Sequence, residues 1–369
     1  MNVRQRTIWL VFHRWVGVAA GIVIAVLGIT GSLLVFESEI DEVLNPALLR
    51  VTPSDSIKSF DDIVKAAIDA YPGTAAAYFE RQSDRPHEAF KVVVRDSART
   101  ETQVFVDPYT LKVLGERSGL DGLALVRRIH ADLLLGPVGE NLVGVLSIGC
   151  VVFFIGGVVL WWPVAGGFRR ALAVTWGAAT PRLLRELHNV VGAPLAIFMV
   201  VASLTVPPIV WKFTSPAGGP PAGAGPAKDL SGAGSAQDSS GAGSAPKRPI
   251  SWQRAAEIAA EQVPGQYVGF ALLSLGPRPI YMVRLWAQGH AATVTDMTVV
   301  FIEPFSGRFL QKQSPATVTM QSVLQADFAA NIHSGAVAGM AGRIVMFIAG
   351  LAFPVLFVTG LWMWWLKRR

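Results

Sequence analysis

Four long apolar stretches constrain what this chain can fold into more than any other feature of its sequence. They cover about residues 10–36, 139–162, 188–212 and 343–366, within a chain of 369 residues that is 51% apolar. A helix needs roughly 20 predominantly apolar residues to cross a hydrocarbon core, and each stretch is long enough. The charged fraction of 16% and the mean hydropathy of +0.43 argue against a soluble domain of this size. We therefore predict a membrane protein with four spanning helices.

The positions of lysine and arginine predict the orientation of these spans. Basic residues precede the first span, separate the second from the third, and close the chain: Arg4, Arg6, Arg14, Arg169, Arg170, Arg182, Arg185, Lys367, Arg368 and Arg369. Because basic residues concentrate on the cytoplasmic side, both termini are predicted to face the cytoplasm of a bacterial inner membrane. The first apolar run is too long for a signal peptide, so it is expected to stay as an anchor. The net charge of +6 reflects topology, and we expect lipid and no nucleic acid as a partner.

The chain contains an internal duplication. His13, Gly17 and Thr30 recur as His188, Gly192 and Thr205, at an offset of 175 residues. An offset of 203 relates His130, Gly136, Gly139, Gly157, Trp161 and Trp162 to His333, Gly339, Gly342, Gly360, Trp364 and Trp365. The offsets differ because the second half carries an insert over residues 215–247, whose Gly, Ala, Ser and Pro content predicts a flexible linker. Two related halves are therefore expected.

Each half is predicted to contain a span, a periplasmic module and a second span. The predicted boundaries are 10–36 for the first span, 37–129 for the first module, 130–162 for an outer-face histidine segment and the second span, 163–187 for a cytoplasmic loop, 188–212 for the third span, 213–332 for the second module with its linker, and 333–366 for an outer-face histidine segment and the fourth span. Each module reads as a helix that ends near Pro-Gly, followed by strands such as "FKVVVRD" and "YMVRLWA". The predicted fold is an all-α four-helix transmembrane bundle with two small α+β modules.

Four of the six histidines lie at equivalent ends of the predicted spans. The topology places His13 and His188 near the cytoplasmic face, and His130 and His333 near the outer face. Two imidazoles from different helices suit bis-histidine ligation of a haem iron. A zinc site would need more ligands at one place, and a lone interfacial histidine can also reach for lipid headgroups. The duplicated pattern favours two haems, which would form an electron path across the membrane.

Residues near the histidines fit a haem but also have simpler explanations. Gly17 and Gly192 lie four residues after a histidine, on the same helix face, where glycine either leaves room for a macrocycle or lets helices approach closely. Four arginines are candidate partners for haem propionates: Arg14, Arg127, Arg128 and Arg185. His87 and His290 do not match each other, and we expect exposed loop histidines rather than iron sites.

Some functions can be excluded. The single cysteine, Cys150, excludes disulfides within the chain and cysteine-ligated iron–sulfur clusters. The short loop 163–187 holds no glycine-rich dinucleotide fingerprint, so electrons would have to come from a separate cytoplasmic reductase or from membrane quinol. No catalytic acid or base is predicted.

Several motifs carry a family resemblance: "HRWVGVAAGIVIAVLGITGSLLVF", "IHADLLLGPVGENLVG", "GGVVLWWP", "LHNVVGAPLAIFMVVASLT" and "IHSGAVAGMAGRIVMFIAGLAFPVLFVTGLWMWW". With these motifs the sequence resembles the PepSY-associated transmembrane family, and the turns "VDPYTLKVLG" and "IEPFSGRFLQ" resemble PepSY modules. The resemblance to dihaem ferrisiderophore reductases of the bacterial inner membrane implies that the four histidines are axial ligands of two b-type haems. One departure is visible, because the family's Thr-Gly in the third span reads Thr205-Val206-Pro207-Pro208 here. We expect that helix to kink or end early.

The resemblance implies an enzyme, a ferric-siderophore reductase that reduces Fe(III) in the periplasm and releases Fe(II). Two alternatives stay open. One is a PepSY-type membrane-anchored binding or regulatory protein without a cofactor, and the other is a dihaem reductase of another periplasmic acceptor.

Overall fold

The computed structural model describes residues 3–81, 84–117, 121–163, 167–213, 248–274, 279–288, 297–313 and 324–368. The chain divides into two compact units. The first, which we call the membrane unit, comprises Met1–Glu37, Gly122–Thr214 and Val323–Arg369. The second, the sheet unit, comprises Ser38–Asp121 and Ser215–Ser322. The predicted linker 215–247 lies outside the described residues.

In chain order the described helices are α1 (Val3–Val35), α2 (Glu37–Leu44), α3 (Pro46–Leu49), α4 (Phe60–Ala70), α5 (Gly122–Asp132), α6 (Pro137–Trp161), α7 (Phe168–Ala171), α8 (Thr180–Trp211), α9 (Trp252–Gln262), α10 (Ala326–His333) and α11 (Gly339–Leu366). Four of them are long and apolar enough to cross a membrane: α1, α6, α8, and α11 together with the 3₁₀ turn Ala336–Ala338 that precedes it. These correspond to the four predicted spans, although α1 and α8 begin earlier than predicted. The short helices α5 and α10 each precede a long helix, α6 or α11.

Small residues let α1 and α11 pack closely. A Cβ atom added at Gly350 would lie 2.2 Å from Ser32 Oγ and 2.7 Å from the Gly28 carbonyl oxygen, so the backbones meet at a distance that only glycine permits. The Ser32 hydroxyl donates to the Phe347 carbonyl at 2.8 Å. Between helices in lipid, close packing and such hydrogen bonds replace the hydrophobic drive of a soluble core. The contact therefore fixes how α1 and α11 pack.

Helix α8 continues through its prolines. It runs to Trp211 with Pro207 and Pro208 inside it, so the expectation that it would end early was wrong. Both prolines lie in the last turn, where each removes one backbone hydrogen bond and few residues remain to be destabilised. The Lys212 amide closes the helix by donating to the Pro208 carbonyl at 3.0 Å, with Lys212 in the left-handed region at φ 48°.

In the part of the chain that the structure describes, the sheet unit is built on one antiparallel sheet of eight strands. The strands are β1 (Ala75–Glu80), β2 (Phe90–Arg95), β3 (Glu101–Val106), β4 (Val113–Arg117), β5 (Gln266–Ser274), β6 (Ile280–Ala287), β7 (Thr298–Ile302) and β8 (Phe309–Gln313), in the spatial order β4-β3-β2-β1-β5-β6-β7-β8. Side chains of α4 and α9 share a core with the sheet. Phe79, Phe90 and Tyr281 are the largest side chains fully buried there.

Helices α4 and α9, which share the core of the sheet, begin in the same way. The Ser59 and Ser251 hydroxyls accept from the amides of Asp62 and Arg254, each at 3.1 Å, which is the usual N-cap bond. The Asp61 carboxylate of α4 accepts from the Trp252 amide of α9 at 2.8 Å. These bonds satisfy amides that a helix leaves unpaired at its start, and one of them joins the two helices.

Strands β1 and β5 join the two predicted modules. The paired residues are Tyr78 with Leu272, Phe79 with Ala271, and Glu80 with Phe270. By the match of Ser59–Gly73 to Ser251–Gly265, Phe79 and Ala271 are corresponding positions. The register is therefore symmetric about that pair. The all-α description therefore holds only for the membrane unit, and the two predicted modules form one sheet. The sequence did not predict this joining, because it carries no signal that says which strand edges pair.

Candidate functional site

The membrane unit brings the four predicted histidines together in two pairs. The ring centroids of His13 and His188, which we call the first pair, are 6.3 Å apart with planes at 89°. Those of His130 and His333, the second pair, are 6.0 Å apart with planes at 57°. Each pair takes one histidine from each half of the chain. The first pair lies on the long helices α1 and α8, and the second on the short helices α5 and α10.

The two pairs lie at different levels of the bundle. The His130 imidazole contacts the Leu27 carbonyl of α1, the helix that also carries His13. At a rise of 1.5 Å per residue, the two levels are roughly 21 Å apart along that helix. This is less than the ~30 Å thickness of a hydrocarbon core, so both pairs fit within one membrane.

Hydrogen bonds fix the rings of the second pair. His130 Nδ1 lies 3.0 Å from the Leu27 carbonyl oxygen and 3.2 Å from Thr30 Oγ1. A carbonyl oxygen can only accept, so Nδ1 carries the proton and donates it. His333 makes the equivalent contacts, at 3.0 Å with the Ala202 carbonyl and 3.1 Å with Thr205 Oγ1. In both rings Nε2 is then unprotonated, which is the form that binds a metal.

Burial keeps these two imidazoles neutral. Burial, together with the neighbouring His333, lowers the pKa of His130 to about 4. Burial also lowers the pKa of His333. A neutral imidazole offers a nitrogen lone pair to a metal, whereas a protonated one does not.

The rings of the first pair are supported unequally. His188 Nδ1 lies 2.9 Å from Thr359 Oγ1. The Thr359 hydroxyl itself donates to the Val355 carbonyl at 2.8 Å, so it accepts the proton of His188. Among the described residues, His13 Nδ1 is buried without a hydrogen-bond partner. Its ring instead stacks on Phe153 at 4.3 Å with planes 6° apart.

Glycines make room for three of the histidine rings. Cβ atoms added at Gly157, Gly360 and Gly31 would lie 3.1 Å from Cε1 of His13, 3.5 Å from Cε1 of His188 and 2.7 Å from Cε1 of His130. Gly17 and Gly192, for which haem clearance was predicted, face side chains of neighbouring helices instead. Their added Cβ atoms would lie 3.6 Å from Phe153 and 3.2 Å from Leu356.

The glycines six and nine residues after each outer histidine shape a turn. Gly136 and Gly339 have φ of +60°, which lies in the left-handed region. Cβ atoms added at Gly139 and Gly342 would lie 1.7 Å and 2.2 Å from backbone carbonyl oxygens of the preceding turn. These glycines therefore bring the histidine helix tightly onto the start of the next long helix.

The four predicted propionate arginines are all exposed. Arg127 pairs with Glu37, and Arg128 with Asp132 at 3.9 Å. Within the described chain, Arg14 and Arg185 make no ion pair. All four guanidinium groups therefore lie at the surface of the membrane unit.

The other predicted candidates lie elsewhere. The side chain of His87 is 43% exposed and its Nε2 lies 3.8 Å from Glu42 Oε1, whereas His290 lies outside the described residues. Cys150 is buried inside α6. No group of three or more His, Cys, Asp or Glu that could hold a metal ion occurs among the described residues.

Both histidine pairs fit a haem. A metal–imidazole bond of about 2 Å, added to about 1 Å from nitrogen to ring centre, separates two opposed ligand rings by about 6 Å. The observed separations of 6.3 Å and 6.0 Å match this value. Among the described residues, hydrogen bonds to these rings involve only Nδ1, so Nε2 stays available.

Comparison with known proteins identifies the family. Residues 10–367 match the family described as the PepSY-associated TM region. The chain belongs to this family. As a PepSY-associated protein with four helices able to span a bilayer, it is a membrane protein. A comparison with curated proteins finds no match. A crystal structure of a protein from Clostridium difficile 630, described as a candidate lipoprotein, is 11% identical with a TM-score of 0.28, covering 72% of this chain and 97% of that chain.

Sequence reasoning missed Thr359 and Phe153. The offset of 203 that relates Gly157 to Gly360 also relates Gly156 to Thr359 and Phe153 to Leu356. Extending the repeat comparison to these positions would have shown that the surroundings of His13 and His188 differ. The prediction used only the repeat positions at which the two halves carry the same residue, and it overlooked these positions, at which they differ.

Proposed function

We propose that this PepSY-associated protein is a transmembrane dihaem reductase that delivers electrons to ferric siderophores in the periplasm. The observation that carries the proposal is the arrangement of four histidines in two pairs, each with ring centroids about 6 Å apart. When bound, b-type haems would supply one-electron carriers at the two pairs. His13 with His188, and His130 with His333, would hold the two haem irons.

The chain's own residues prepare these positions. Thr30, Thr205 and two backbone carbonyls hold the rings of the second pair with Nδ1 protonated and Nε2 free. Gly31 and Gly157 remove side chains that would otherwise crowd the rings of His130 and His13. Preorganised ligands of this kind fix the orientation of a metal-bound imidazole.

The distribution of basic residues supports a side for each pair. By the positive-inside rule we expect the first pair toward the cytoplasm and the second toward the periplasm. The donor would be a cytoplasmic reductase or membrane quinol. One electron reduces Fe(III) of the siderophore to Fe(II), which hard oxygen ligands bind less tightly, so the metal is released.

An optical spectrum with a haem assay tests this proposal. Purified wild-type protein should bind about two haems per chain and show sharp α and β bands on reduction by dithionite. His13→Ala and His333→Ala should each lower the count by one, whereas His87→Ala, outside both pairs, should leave it unchanged. Colourless protein from haem-replete cells would refute the reductase and favour a PepSY-type binding or regulatory protein.

The acceptor needs a separate assay. Reduced wild-type protein in proteoliposomes should be reoxidised by a ferric siderophore, with Fe(II) trapped by a chelator. If Fe(II) does not appear although both haems are bound, the protein reduces another periplasmic acceptor.

A further inference from the structure

The four histidines differ in what accepts their Nδ1 proton. In the second pair each ring has two acceptors, a backbone carbonyl and a threonine hydroxyl. In the first pair only His188 has a hydroxyl acceptor, Thr359; the backbone carbonyls of Leu356 and Phe153 lie near the two rings but, among the described residues, outside normal hydrogen-bond geometry. The sequence explains the difference, because Gly156 stands where the second half has Thr359.

The hydroxyl of Thr359 is placed for this role. The side chain is 6% exposed, so water does not compete for the contact. Its proton is engaged by the Val355 carbonyl at 2.8 Å and also lies 3.2 Å from the Leu356 carbonyl. The oxygen can therefore only accept from His188, which holds the proton on Nδ1 and leaves Nε2 as the ligand atom.

A hydrogen bond from Nδ1–H makes an imidazole a stronger electron donor through Nε2. A stronger donor favours Fe(III) over Fe(II) and lowers the reduction potential of the iron that it binds. We infer that Thr359 is a positioning residue that sets the donor strength of His188, and that the first pair binds its haem with one imidazole that has a hydroxyl acceptor and one that has none. This inference rests on the proposed function.

An order of potentials follows. The second pair has two imidazoles with a hydroxyl acceptor and the first pair has one, so these hydrogen bonds favour the lower potential at the second pair. The second site would then be the stronger reductant of a ferric siderophore, but electron transfer to it from the first site would be unfavourable by the difference between the two potentials. By lowering the reduction potential of the first site, Thr359 reduces the difference between the two potentials.

Potentiometric titration of the purified holoprotein, followed at the α band, tests the role of Thr359. Thr359→Val removes the hydroxyl that accepts from His188 and should raise the higher of the two midpoint potentials. A tenfold weaker preference for Fe(III) corresponds to about 59 mV for one electron, and we expect a shift of up to that size. Thr359→Ser keeps the hydroxyl and should match the wild type.

Thr205→Val is the matched control in the second pair. It removes one hydroxyl next to His333 but leaves the Ala202 carbonyl as an acceptor, so its shift should be clearly smaller and should affect the lower potential. If valine at 359 displaces a haem, Thr359→Ala, which leaves space, provides the same comparison with serine.

The outcomes separate the inference from the proposed function. Two haems bound, with Thr359→Val and Thr359→Ala leaving both potentials unchanged, would overturn the inference alone. A shift of the lower potential in those variants would also overturn it, because Thr359 would then act at the wrong site. Wild-type protein without haem would overturn the proposed function together with the inference.

Discussion

Alanine at position 139 should destabilise the turn that carries the second histidine pair. An added Cβ atom at Gly139 would lie 1.7 Å from the Asp132 carbonyl oxygen and 2.6 Å from its carbon. Close carbon–oxygen contacts are about 3.3 Å, so the carbonyl would have to move by about 1.6 Å. Because this atom belongs to the backbone, it cannot rotate away as a side chain could. Asp132 is two residues from His130, which would move with it.

The expected loss of stability can be compared with the effect of a control substitution in the same helix. Gly149 also lies in α6, and a Cβ atom added there meets no atom within 4 Å. Gly149→Ala should therefore be neutral or stabilise by up to about 1 kcal/mol, the helix preference of alanine over glycine. Gly139→Ala should lose about 2 kcal/mol or more, because overpacking typically costs about 1–3 kcal/mol and here a backbone atom must shift.

Unfolding by SDS in mixed micelles, followed by tryptophan fluorescence, measures the difference between the two variants. Gly139→Ala should unfold at a clearly lower SDS fraction than Gly149→Ala and should bind less haem at the second pair. Gly342→Ala, where the added atom would lie 2.2 Å from the Gly335 carbonyl oxygen, should behave like Gly139→Ala. Equal stability of the 139 and 149 variants would refute the steric reasoning.

Two further predictions concern the sheet unit, measured by thermal unfolding. Asp41 accepts two hydrogen bonds of 2.8 Å from the Arg117 guanidinium; burial alone would raise the pKa of Asp41, but these bonds and this charge lower it. The ion pair therefore stabilises the fold fully above pH ~4, and this stabilisation falls as the pH drops through the lowered pKa of Asp41. Asp41→Asn should reduce the free energy of unfolding by about 2 kcal/mol at pH 7 and by progressively less as the pH falls below ~4; a loss that does not change with pH would contradict this. The Tyr281 hydroxyl donates to the Ile250 carbonyl at 2.8 Å, and the residue is only 1% exposed. Tyr281→Phe should therefore lower the free energy of unfolding by about 1–2 kcal/mol. An unchanged midpoint of thermal unfolding would contradict a stabilising buried hydrogen bond.

The sequence predicted the histidine pairs because duplication and topology act together. Equivalent residues of two repeats that enter a membrane from the same side meet across a common axis, and this brought His13 to His188 and His130 to His333. The same argument could not predict the structural role of each glycine. Gly17 and Gly139 look alike in sequence, but the first faces a neighbouring side chain and the second a backbone carbonyl.

The sequence also failed to predict that the two modules form one sheet, for a different reason. The stretches "FKVVVRD" and "YMVRLWA" predicted the strands β2 and β6, but the two modules join at β1 and β5, where backbone amides and carbonyls form the pairing. Nothing in the side chains of Ala75–Glu80 specifies a partner strand. The two modules were therefore predicted separately, although they share a core.

The symmetric register of β1 and β5 has an evolutionary consequence. Phe79 pairs with its own counterpart, Ala271. Two identical copies of one half could therefore pair their equivalent strands in the same symmetric register. Each histidine pair likewise draws one imidazole from each half. An ancestral chain of half this length would have held only half of every site, so it would have needed to dimerise to function. Fusion into one chain then freed the halves to diverge, as Gly156 and Thr359 have done.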